Sequence, residues 1–319
     1  MKVNDSVYRE QEITNPVIID LINSKPMQRL KKINQHGTVD IGITRFAHGV
    51  GVFLLLKKLG ASAEEQISGL LHDVNHAAFS HVIDFVYDRR NHDYTEQFHK
   101  QIIINSEIPS ILKKAGFDVH RVADHDNFHL LERSIPDLCA DRLDYLFRDS
   151  FHIGYITREE VQKFVNALAI FEHQIVVNNK ENARKIGDLY LKTCDTLWAT
   201  PRAAGSFQFF ADTLKLALEL KIITEKDFFL TDEELMNKLK AAKDEKIQEM
   251  LDYKWESFNE GTKENHDIFV YSKARYIDPL FLENGILKRL SAHDENYKKT
   301  MNDLIIKINK GFFVKIKKN

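Results

Sequence analysis

Apolar residues recur at helical spacing along most of the chain, which predicts a mainly α-helical protein. One helix is predicted from Phe46 to Leu59, where Gly60 ends it, and another over residues 207–220. A capping box is a hydroxyl residue followed three positions later by glutamate, and it opens three more predicted helices, at Ser62–Glu65, Thr157–Glu160 and Thr231–Glu234. In the first, which covers residues 62–73, Ser62 is expected to cap the Glu65 amide while the Glu65 side chain reaches back.

Short apolar stretches near the middle and the end of the chain predict strands. Residues 175–177 form one, and the alternating residues 268–279 form another that is expected to pair with residues 311–316. The composition changes at residues 259–265, which predicts a boundary. We therefore expect a mainly α fold: a helical bundle of residues 1–258, with its core motifs in residues 27–150, followed by a small mixed α/β region of residues 259–319.

The helix predicted over residues 62–73 ends with a histidine and an aspartate, His72 and Asp73. Four other His-Asp dipeptides occur in the chain, at residues 92, 125, 266 and 293, but only this one ends an apolar helix that lies between a helix carrying His48 and a helix carrying Asp141. Imidazole nitrogen and carboxylate oxygen suit Mn, Fe, Co, Ni or Zn, and suit Mg less well. If the helices form a bundle, these four side chains can converge on one ion and leave positions open for water and substrate.

Side chains that can donate hydrogen bonds to anionic oxygens surround these positions in the sequence, which indicates a polyanionic substrate: Arg45, His76, His81, His92 and Arg142. His81 lies three residues before Asp84, so a carboxylate can orient the imidazole as a general acid. A helix predicted to start at Ser134 carries Asp141, then Asp144 or Tyr145, and then Arg148 or Asp149 on one face, because these residues are three to four positions apart. Any one of these histidines alone is more simply a structural residue. Arg142 or Arg148 alone is more simply part of a surface ion pair with Asp144 or Asp149, but the complete set favours a site.

Five segments resemble the motifs of the HD-domain phosphohydrolases, and within them the branch of dNTP triphosphohydrolases: residues 27–35, 45–48, 71–76, 79–84 and 141–149. The resemblance implies that His48, His72, Asp73 and Asp141 bind the divalent metal ion. It implies that Arg45, His76, His92 and Arg142 contact the phosphates, with His81 and Asp84 near the scissile bond. It implies that Gln35 and Asp149 hold the sugar 3′-hydroxyl and that Tyr145 packs on the sugar.

The resemblance also implies a reaction in which water attacks the α-phosphorus and releases nucleoside and triphosphate, and a homo-oligomeric protein. Two positions depart from a mammalian member of the branch, which has lysine in place of Arg142 and leucine in place of His36. Arg202 is a further candidate for phosphate binding, whereas residues 273–279 resemble a C-terminal strand of bacterial members to which no site chemistry is assigned.

Composition narrows the functional classes. The formal net charge of −2 argues against a dedicated nucleic-acid coat, although a lysine-rich C-terminus leaves nucleic-acid binding as an alternative. Two distant cysteines, Cys139 and Cys194, indicate a reducing compartment, and the lack of a long apolar run predicts a soluble cytoplasmic protein without a membrane segment. The alternatives to triphosphohydrolase activity are a 5′-nucleotidase or phosphodiesterase that uses the same ligands, and a non-catalytic nucleotide sensor.

Overall fold

The computed structural model of the chain describes residues 1–89 and 93–317. The α-helices are α1 (Pro16–Ile22), α2 (Lys25–Leu30), α3 (Arg45–Lys58), α4 (Ala63–Leu71), α5 (Val82–Val86), α6 (His99–Ile104), α7 (Ile108–Lys114), α8 (Val119–Val122), α9 (Ala140–His152), α10 (Arg158–Ala167), α11 (Lys180–Thr193), α12 (Pro201–Glu219), α13 (Asp232–Ala241), α14 (Glu245–Leu251), α15 (Leu290–His293) and α16 (Glu295–Asn309). The strands are β1 (Lys2–Asp5), β2 (Arg9–Glu12), β3 (Leu168–Phe171), β4 (Gln174–Val177), β5 (Phe258–Glu260), β6 (Ile268–Val270), β7 (Leu280–Glu283), β8 (Ile286–Arg289) and β9 (Phe312–Ile316). The mainly α fold is thus confirmed.

The predicted helix ends are largely confirmed. Gly60 follows α3 with a φ of +75°, the left-handed conformation in which glycine costs little. Ser62 caps α4, because its hydroxyl oxygen accepts a hydrogen bond from the Glu65 amide. The prediction that the Glu65 side chain reaches back to Ser62 is wrong. The Glu65 carboxylate accepts instead the amides of Leu130 and Leu131, at 2.7 and 3.1 Å, because two buried donors of another segment lie within its reach.

Two helices begin elsewhere than predicted. In a helix from Ser134, the amides of Ala140 and Asp141 would donate to carbonyls four residues back. They donate instead to the carbonyls of Leu130 and Leu131, at 2.7 and 3.3 Å, so α9 begins only at Ala140. In contrast, α12 begins before the predicted residue 207, because Thr200 caps it and Pro201 occupies its first position.

Helix α3 is the centre of the bundle and packs on both α4 and α9. Buried apolar side chains along its length include Val52, Leu55 and Leu56. At Gly51 the helices approach so closely that an added Cβ would lie 2.1 Å from Asp144 Oδ1 and 2.0 Å from Arg148 Nη2. The ends of α3, α4 and α9 are therefore held in fixed relative positions.

Three sheets complete the fold. The predicted pairing of residues near 268 with those near 311 is confirmed, since β6 lies antiparallel to β9, which also pairs with β5. The predicted extent of that strand, residues 268–279, is wrong, because β6 ends at Val270 and the next strand begins only at Leu280. A four-stranded sheet has the order β3-β4-β7-β8. Its β4–β7 pair joins Val177 to Phe281 across residue 259, where the boundary is predicted. The division into residues 1–258 and 259–319 stays a prediction.

None of the helices within residues 1–89 and 93–317 combines the length and the apolar character needed to cross a membrane.

Candidate metal centre and substrate cavity

Three helices bring the four predicted metal ligands together. His48 lies in the first turn of α3, His72 and Asp73 directly follow α4, and Asp141 lies in the first turn of α9. The Nε2 atoms of His48 and His72 are 3.2 Å apart. Asp141 Oδ1 lies 2.8 Å from the first and 3.4 Å from the second, and Asp73 Oδ1 lies 3.4 Å from His72 Nε2.

These spacings fit one divalent ion. Two donor atoms bound at about 2.1 Å to the same ion are separated by about 3.0–3.4 Å. The donor atoms of His48, His72 and Asp73 all lie within 4.8 Å of one another. Nitrogen and carboxylate oxygen donors in this number suit a first-row transition metal, with coordination positions left for other groups.

Acceptors behind the two imidazoles fix their orientation. His48 Nδ1 lies 2.8 Å from Asp144 Oδ2, and His72 Nδ1 donates to the Gly69 carbonyl at 2.8 Å. We call His48, His72, Asp73 and Asp141 the metal cluster. Each ring therefore directs Nε2 toward this cluster, an arrangement typical of metal-binding histidines. Burial opposes a charge on His48, but hydrogen bonds with Asp141 and Asp144 outweigh burial and raise the pKa of the imidazole to about 10. The site thus favours a positive charge at this point.

Asp144 is in turn fixed by a buried ion pair. Arg148 donates Nε to Asp144 Oδ2 at 2.9 Å, and its Nη2 lies 3.1 Å from Asp5 Oδ2. All three side chains are at most 3% exposed. Asp144 was not predicted as a site residue, although its position three residues after Asp141 on one helical face is a signal that could have identified it.

Arg45 and His76 flank the other aspartate. Arg45 donates Nη1 to Asp73 Oδ2 at 2.9 Å and Nε to Ser80 Oγ at 3.0 Å. His76 Nε2 lies 3.1 Å from Asp73 Oδ1. Burial opposes the Asp73 charge, but Arg45 and the neighbouring histidines hold the pKa of the carboxyl well below its usual range. Burial and Arg45 lower the pKa of His76.

The predicted His81–Asp84 contact is present. His81 Nδ1 lies 3.0 Å from Asp84 Oδ2, and the rings of His76 and His81 meet edge to face with centroids 5.1 Å apart. Burial and the charge of Arg45 hold the pKa of His81 well below its ordinary value. The imidazole is therefore neutral near pH 7 and can accept a proton.

A cavity of about 460 Å³ opens over the cluster. It is lined by predicted site residues from both the metal cluster and its surroundings, namely Gln35, Arg45, His72, Asp73, His76, His81, Asp141, Arg142, Tyr145 and Asp149. Of the predicted residues, His92 lies outside the described part of the chain. The structure thus brings a His/Asp cluster and several cationic or hydrogen-bonding side chains to one concave surface.

The residues predicted to hold the sugar, Gln35, Tyr145 and Asp149, all line the cavity. Both Asp149 oxygens have protein donors or partners, with His36 Nε2 at 3.0 Å and Trp198 Nε1 at 2.7 Å. Tyr145 Oη lies 2.6 Å from Tyr190 Oη. Gln35 Oε1 is buried and has no hydrogen-bond partner among residues 1–89 and 93–317, so it is available to a ligand.

The two arginines that the sequence offered as further phosphate contacts differ in position. Arg142 lines the cavity, but it donates to the carbonyls of Asp137 and Arg133, and its Nη2 lies 3.6 Å from Glu132. The surface ion pair with Asp144 or Asp149 is therefore not its role. Arg202 donates to the Phe258 carbonyl at 3.0 Å and lies outside the cavity lining.

Several lining residues were not predicted from the sequence, among them His36, Glu96, His125, Glu132, Trp198, Lys273 and Arg275. Lys273 and Arg275 come from the segment between β6 and β7, more than 120 residues after α9. No local spacing links that segment to the HD-like motifs. The resemblance of residues 273–279 to a C-terminal strand of bacterial members marks the segment but gives it no site chemistry, and its two cations separated by one residue were the further signal. Partial burial and then the positive charge of Arg275 lower the pKa of Lys273.

Comparison with known proteins identifies the family. No family model matches the chain. The chain is 36% identical over 330 residues to an uncharacterised protein, YdhJ, of Bacillus subtilis, covering 100% of both. It is 31% identical over 253 residues to the metal-dependent phosphohydrolase cns2 of Cordyceps militaris, covering 75% of this chain and 73% of that protein. The chain therefore belongs to the metal-dependent phosphohydrolases of the HD superfamily, and it is an enzyme.

A more distant relative carries a more specific name. The chain is 25% identical over 297 residues to a deoxynucleoside triphosphate triphosphohydrolase SAMHD1 homolog of Dictyostelium discoideum, covering 77% of this chain and 56% of that protein. The fold is similar to the crystal structure of a phosphohydrolase from Bacteroides thetaiotaomicron, with a TM-score of 0.69 and 15% identity over 100% of both chains. At this identity the structural likeness supports the fold alone.

Proposed function

We propose that the protein is a nucleoside triphosphate triphosphohydrolase that acts on dNTPs and releases nucleoside and triphosphate. The observation that carries this proposal is the single cavity that joins the His/Asp cluster to a wall of cationic and imidazole side chains. A neutral or singly charged substrate would not need so many donors around one metal site. The named activity of the Dictyostelium relative supports the same reaction class.

In this proposal His48, His72, Asp73 and Asp141 hold a divalent ion, one of Mn, Fe, Co, Ni, Zn or Mg. The bound ion supplies two effects, a lower pKa of water and polarisation of a phosphoryl oxygen. Asp144 keeps His48 in the productive ring orientation, because it lies 2.8 Å from the Nδ1 atom. Arg45 does the same for Asp73 through its hydrogen bond of 2.9 Å.

The proposed proton donor to the leaving group is His81. The carboxylate of Asp84 lies against Nδ1, so the other ring nitrogen is the one that can exchange a proton with substrate. Burial and the cations near His81 depress its pKa, and a bound polyanion counters those positive charges. Substrate binding therefore raises the pKa of His81 and loads it with the proton that the departing alkoxide needs. His76 contacts the same phosphates.

The sugar lies at the end of the cavity near Tyr145. There the Tyr145 ring packs on the sugar, and Gln35 and Asp149 bind the 3′-hydroxyl. The buried Gln35 Oε1 supports this assignment, since an unpaired buried acceptor is costly unless a ligand donates to it. His92 completes the proposed phosphate contacts.

Product analysis tests the proposal. The purified protein is incubated with Mn²⁺ and each dNTP or NTP, and the products are separated by chromatography. Nucleoside together with inorganic triphosphate is the expected result. Consumption of mononucleotides or cyclic dinucleotides instead would replace the proposal with a 5′-nucleotidase or phosphodiesterase that uses the same cluster.

The His72→Ala variant tests whether the hydrolytic activity depends on the metal cluster. Loss of one donor is expected to reduce bound metal and to bring turnover to background, as read by elemental analysis and product release. His120→Ala on α8 is the matched control, because its side chain is exposed and away from the cavity. Full activity of His72→Ala with its metal retained would contradict the proposal.

We further propose a cytoplasmic homo-oligomer. Exposed aromatic side chains at Phe269 and Tyr271, 40% and 45% exposed, offer an apolar surface for self-association. Light scattering at micromolar protein tests this, and a monomeric mass would refute it.

A further inference from the structure

Arg275 lies in the wall of the substrate cavity, in the segment between β6 and β7. Its guanidinium carbon is 5.9 Å from the centroid of the Tyr145 ring. That ring is 6.4 Å, between centroids, from the imidazole of His48. Arg275 is therefore separated from the metal cluster by one aromatic side chain, although it is 126 residues after Asp149, the last residue of the segment 141–149, in the sequence.

Among residues 1–89 and 93–317, three arginines line the cavity, and they differ in how their charge is compensated. Arg45 pairs with Asp73 at 2.9 Å, and Arg142 lies 3.6 Å from Glu132 while donating to two carbonyls. For Arg275, within the ranges 1–89 and 93–317, no carboxylate oxygen lies within the 4.0 Å of an ion pair. The positive charge of Arg275 is thus available to a ligand.

The surroundings of Arg275 favour the binding of an anion. The side chain is partly buried, and its guanidinium lies over the Tyr145 ring rather than extending into water. A partly buried cation without a counter-charge is unfavourable, and a bound anion removes that cost. Lys273 and Ser272 of the same segment also line the cavity, so this wall can surround an anion with several donors.

We propose that Arg275 is a substrate-binding residue that holds the polyphosphate chain of a nucleoside triphosphate, with Lys273 beside it. The proposal deepens the function proposed above and rests on it for the identity of the substrate. Guanidinium geometry favours bidentate contact with phosphate oxygens, so Arg275 fixes the register of the chain in addition to attracting it.

Arg275→Gln tests this role. Loss of charge-assisted hydrogen bonds is expected to raise KM for the preferred triphosphate by about tenfold to a hundredfold, with a smaller change in kcat. Calorimetric titration with inorganic tripolyphosphate, in matched divalent-metal buffer, is expected to show a similar loss of affinity. Arg275→Lys restores the charge without the fork and should give intermediate values.

Arg9→Gln is the matched control for the change in charge, because Arg9 forms an exposed ion pair with Glu159 and lies outside the cavity lining. It should bind tripolyphosphate as the wild type does. Urea unfolding of each variant separates loss of binding from loss of fold, since a purely structural role would lower stability without a rise in KM that Arg275→Lys partly reverses.

The two proposals can fail separately. If the wild type releases nucleoside and triphosphate while Arg275→Gln keeps the wild-type KM and tripolyphosphate affinity, the role of Arg275 is overturned and the proposed function stands. If the wild type yields other products, the proposed function is overturned, and the tripolyphosphate titration still decides about Arg275. Weaker binding by the glutamine variant supports the role, and equal binding overturns it.

Discussion

At the scale of single residues, the metal cluster depends on side chains that do not belong to it. Asp144 contacts His48 on one side and Arg148 on the other, so one carboxylate both orients an imidazole and balances a buried cation. Removing either partner of a buried ion pair leaves an uncompensated charge. The effects of an Asp144 substitution are therefore expected in both metal binding and stability.

Asp144→Asn is expected to weaken metal binding by about tenfold to a hundredfold, because the amide no longer enforces the same His48 ring orientation. It should also lower the free energy of unfolding by about 3–5 kcal/mol, since Arg148 retains only Asp5. Activity titrated with metal and urea unfolding measure the two effects. Asp188→Asn in the half-exposed pair with Arg184 is the control and should leave metal dependence unchanged.

The same carboxylate predicts how stability responds to acid. Burial opposes the Asp144 charge, but Arg148 and the His48 hydrogen bond outweigh it and lower the pKa of the carboxyl. A group whose pKa is lower in the folded state stabilises the fold above the unfolded pKa of about 3.9, and the contribution is lost as pH falls through the folded value.

We therefore expect the free energy of unfolding of the wild type to fall steeply below about pH 4. In Asp144→Asn, which has no carboxyl at this position, the fall should be shallower. Urea unfolding at a series of pH values measures the difference. Equal slopes in the two proteins would show that Asp144 does not contribute to the acid response.

At the scale of elements, tertiary contacts decide which hydrogen bonds a capping-box sequence forms. The Ser62–Glu65 and Thr157–Glu160 patterns are alike in sequence, and only the second forms a reciprocal capping box. Glu65 instead ties the start of α4 to the segment that leads into α9. Because α4 presents His72 and α9 presents Asp141, this contact helps to hold two parts of the cluster in register.

Glu65→Ala is expected to lower the free energy of unfolding by about 2–3 kcal/mol, since two buried amides lose a charged acceptor. Ser62→Ala, which removes only the cap, should cost about 1 kcal/mol. Urea unfolding gives both values. A smaller loss for Glu65→Ala than for Ser62→Ala would contradict the tertiary role of this carboxylate.

Gly51→Ala tests the close approach of α3 and α9. Alanine at an open helix position stabilises by about 1 kcal/mol relative to glycine. Here the new Cβ would overlap the ion pair of Asp144 and Arg148, so we expect destabilisation by about 3 kcal/mol or more. Thermal or urea unfolding shows whether the substitution lowers or raises the free energy of unfolding. Lys57→Ala on the exposed face of α3 is the control. An unchanged or increased stability of Gly51→Ala would refute the constraint.

The sequence predicts best what local spacing encodes. The helices that carry His48, His72 and Asp141 follow from periodicity and end signals, and their convergence follows because bundle packing leaves few arrangements. The partner of Glu65 and the late start of α9 depend on Leu130 and Leu131, to which no local pattern points. Arg275 was not predicted as a site residue for the same reason, because its contact with Tyr145 joins segments far apart in the chain.

At the scale of the whole molecule, the proposed region of residues 259–319 is connected to the bundle by hydrogen bonds. β7 pairs with β4, and β9 lies between β5 and β6. Val314 of β9 packs so closely on α12 that a Cβ at Gly205 would lie 2.5 Å from its side chain. The cavity also draws part of its wall from residues 272–275.

A chain ending at residue 258 tests the proposed division. It should retain metal, because all four cluster residues lie before the cut, but its midpoint of urea unfolding should fall since β4 and α12 lose their partners. Triphosphate hydrolysis should be reduced in the fragment and recovered by co-expression with residues 259–319. Wild-type activity of the fragment alone would show that the second region has no part in catalysis.

The late position of Arg275 has a consequence during translation. A ribosome exposes the His/Asp cluster long before it has made the segment between β6 and β7. A nascent chain can therefore have its four proposed metal ligands, together with Arg45, His76 and Arg142, before it has the phosphate contact that we propose for Arg275. Until Arg275 has been made, we expect the nascent chain to bind triphosphate as weakly as Arg275→Gln does, so that hydrolysis during synthesis is slower than in the complete chain.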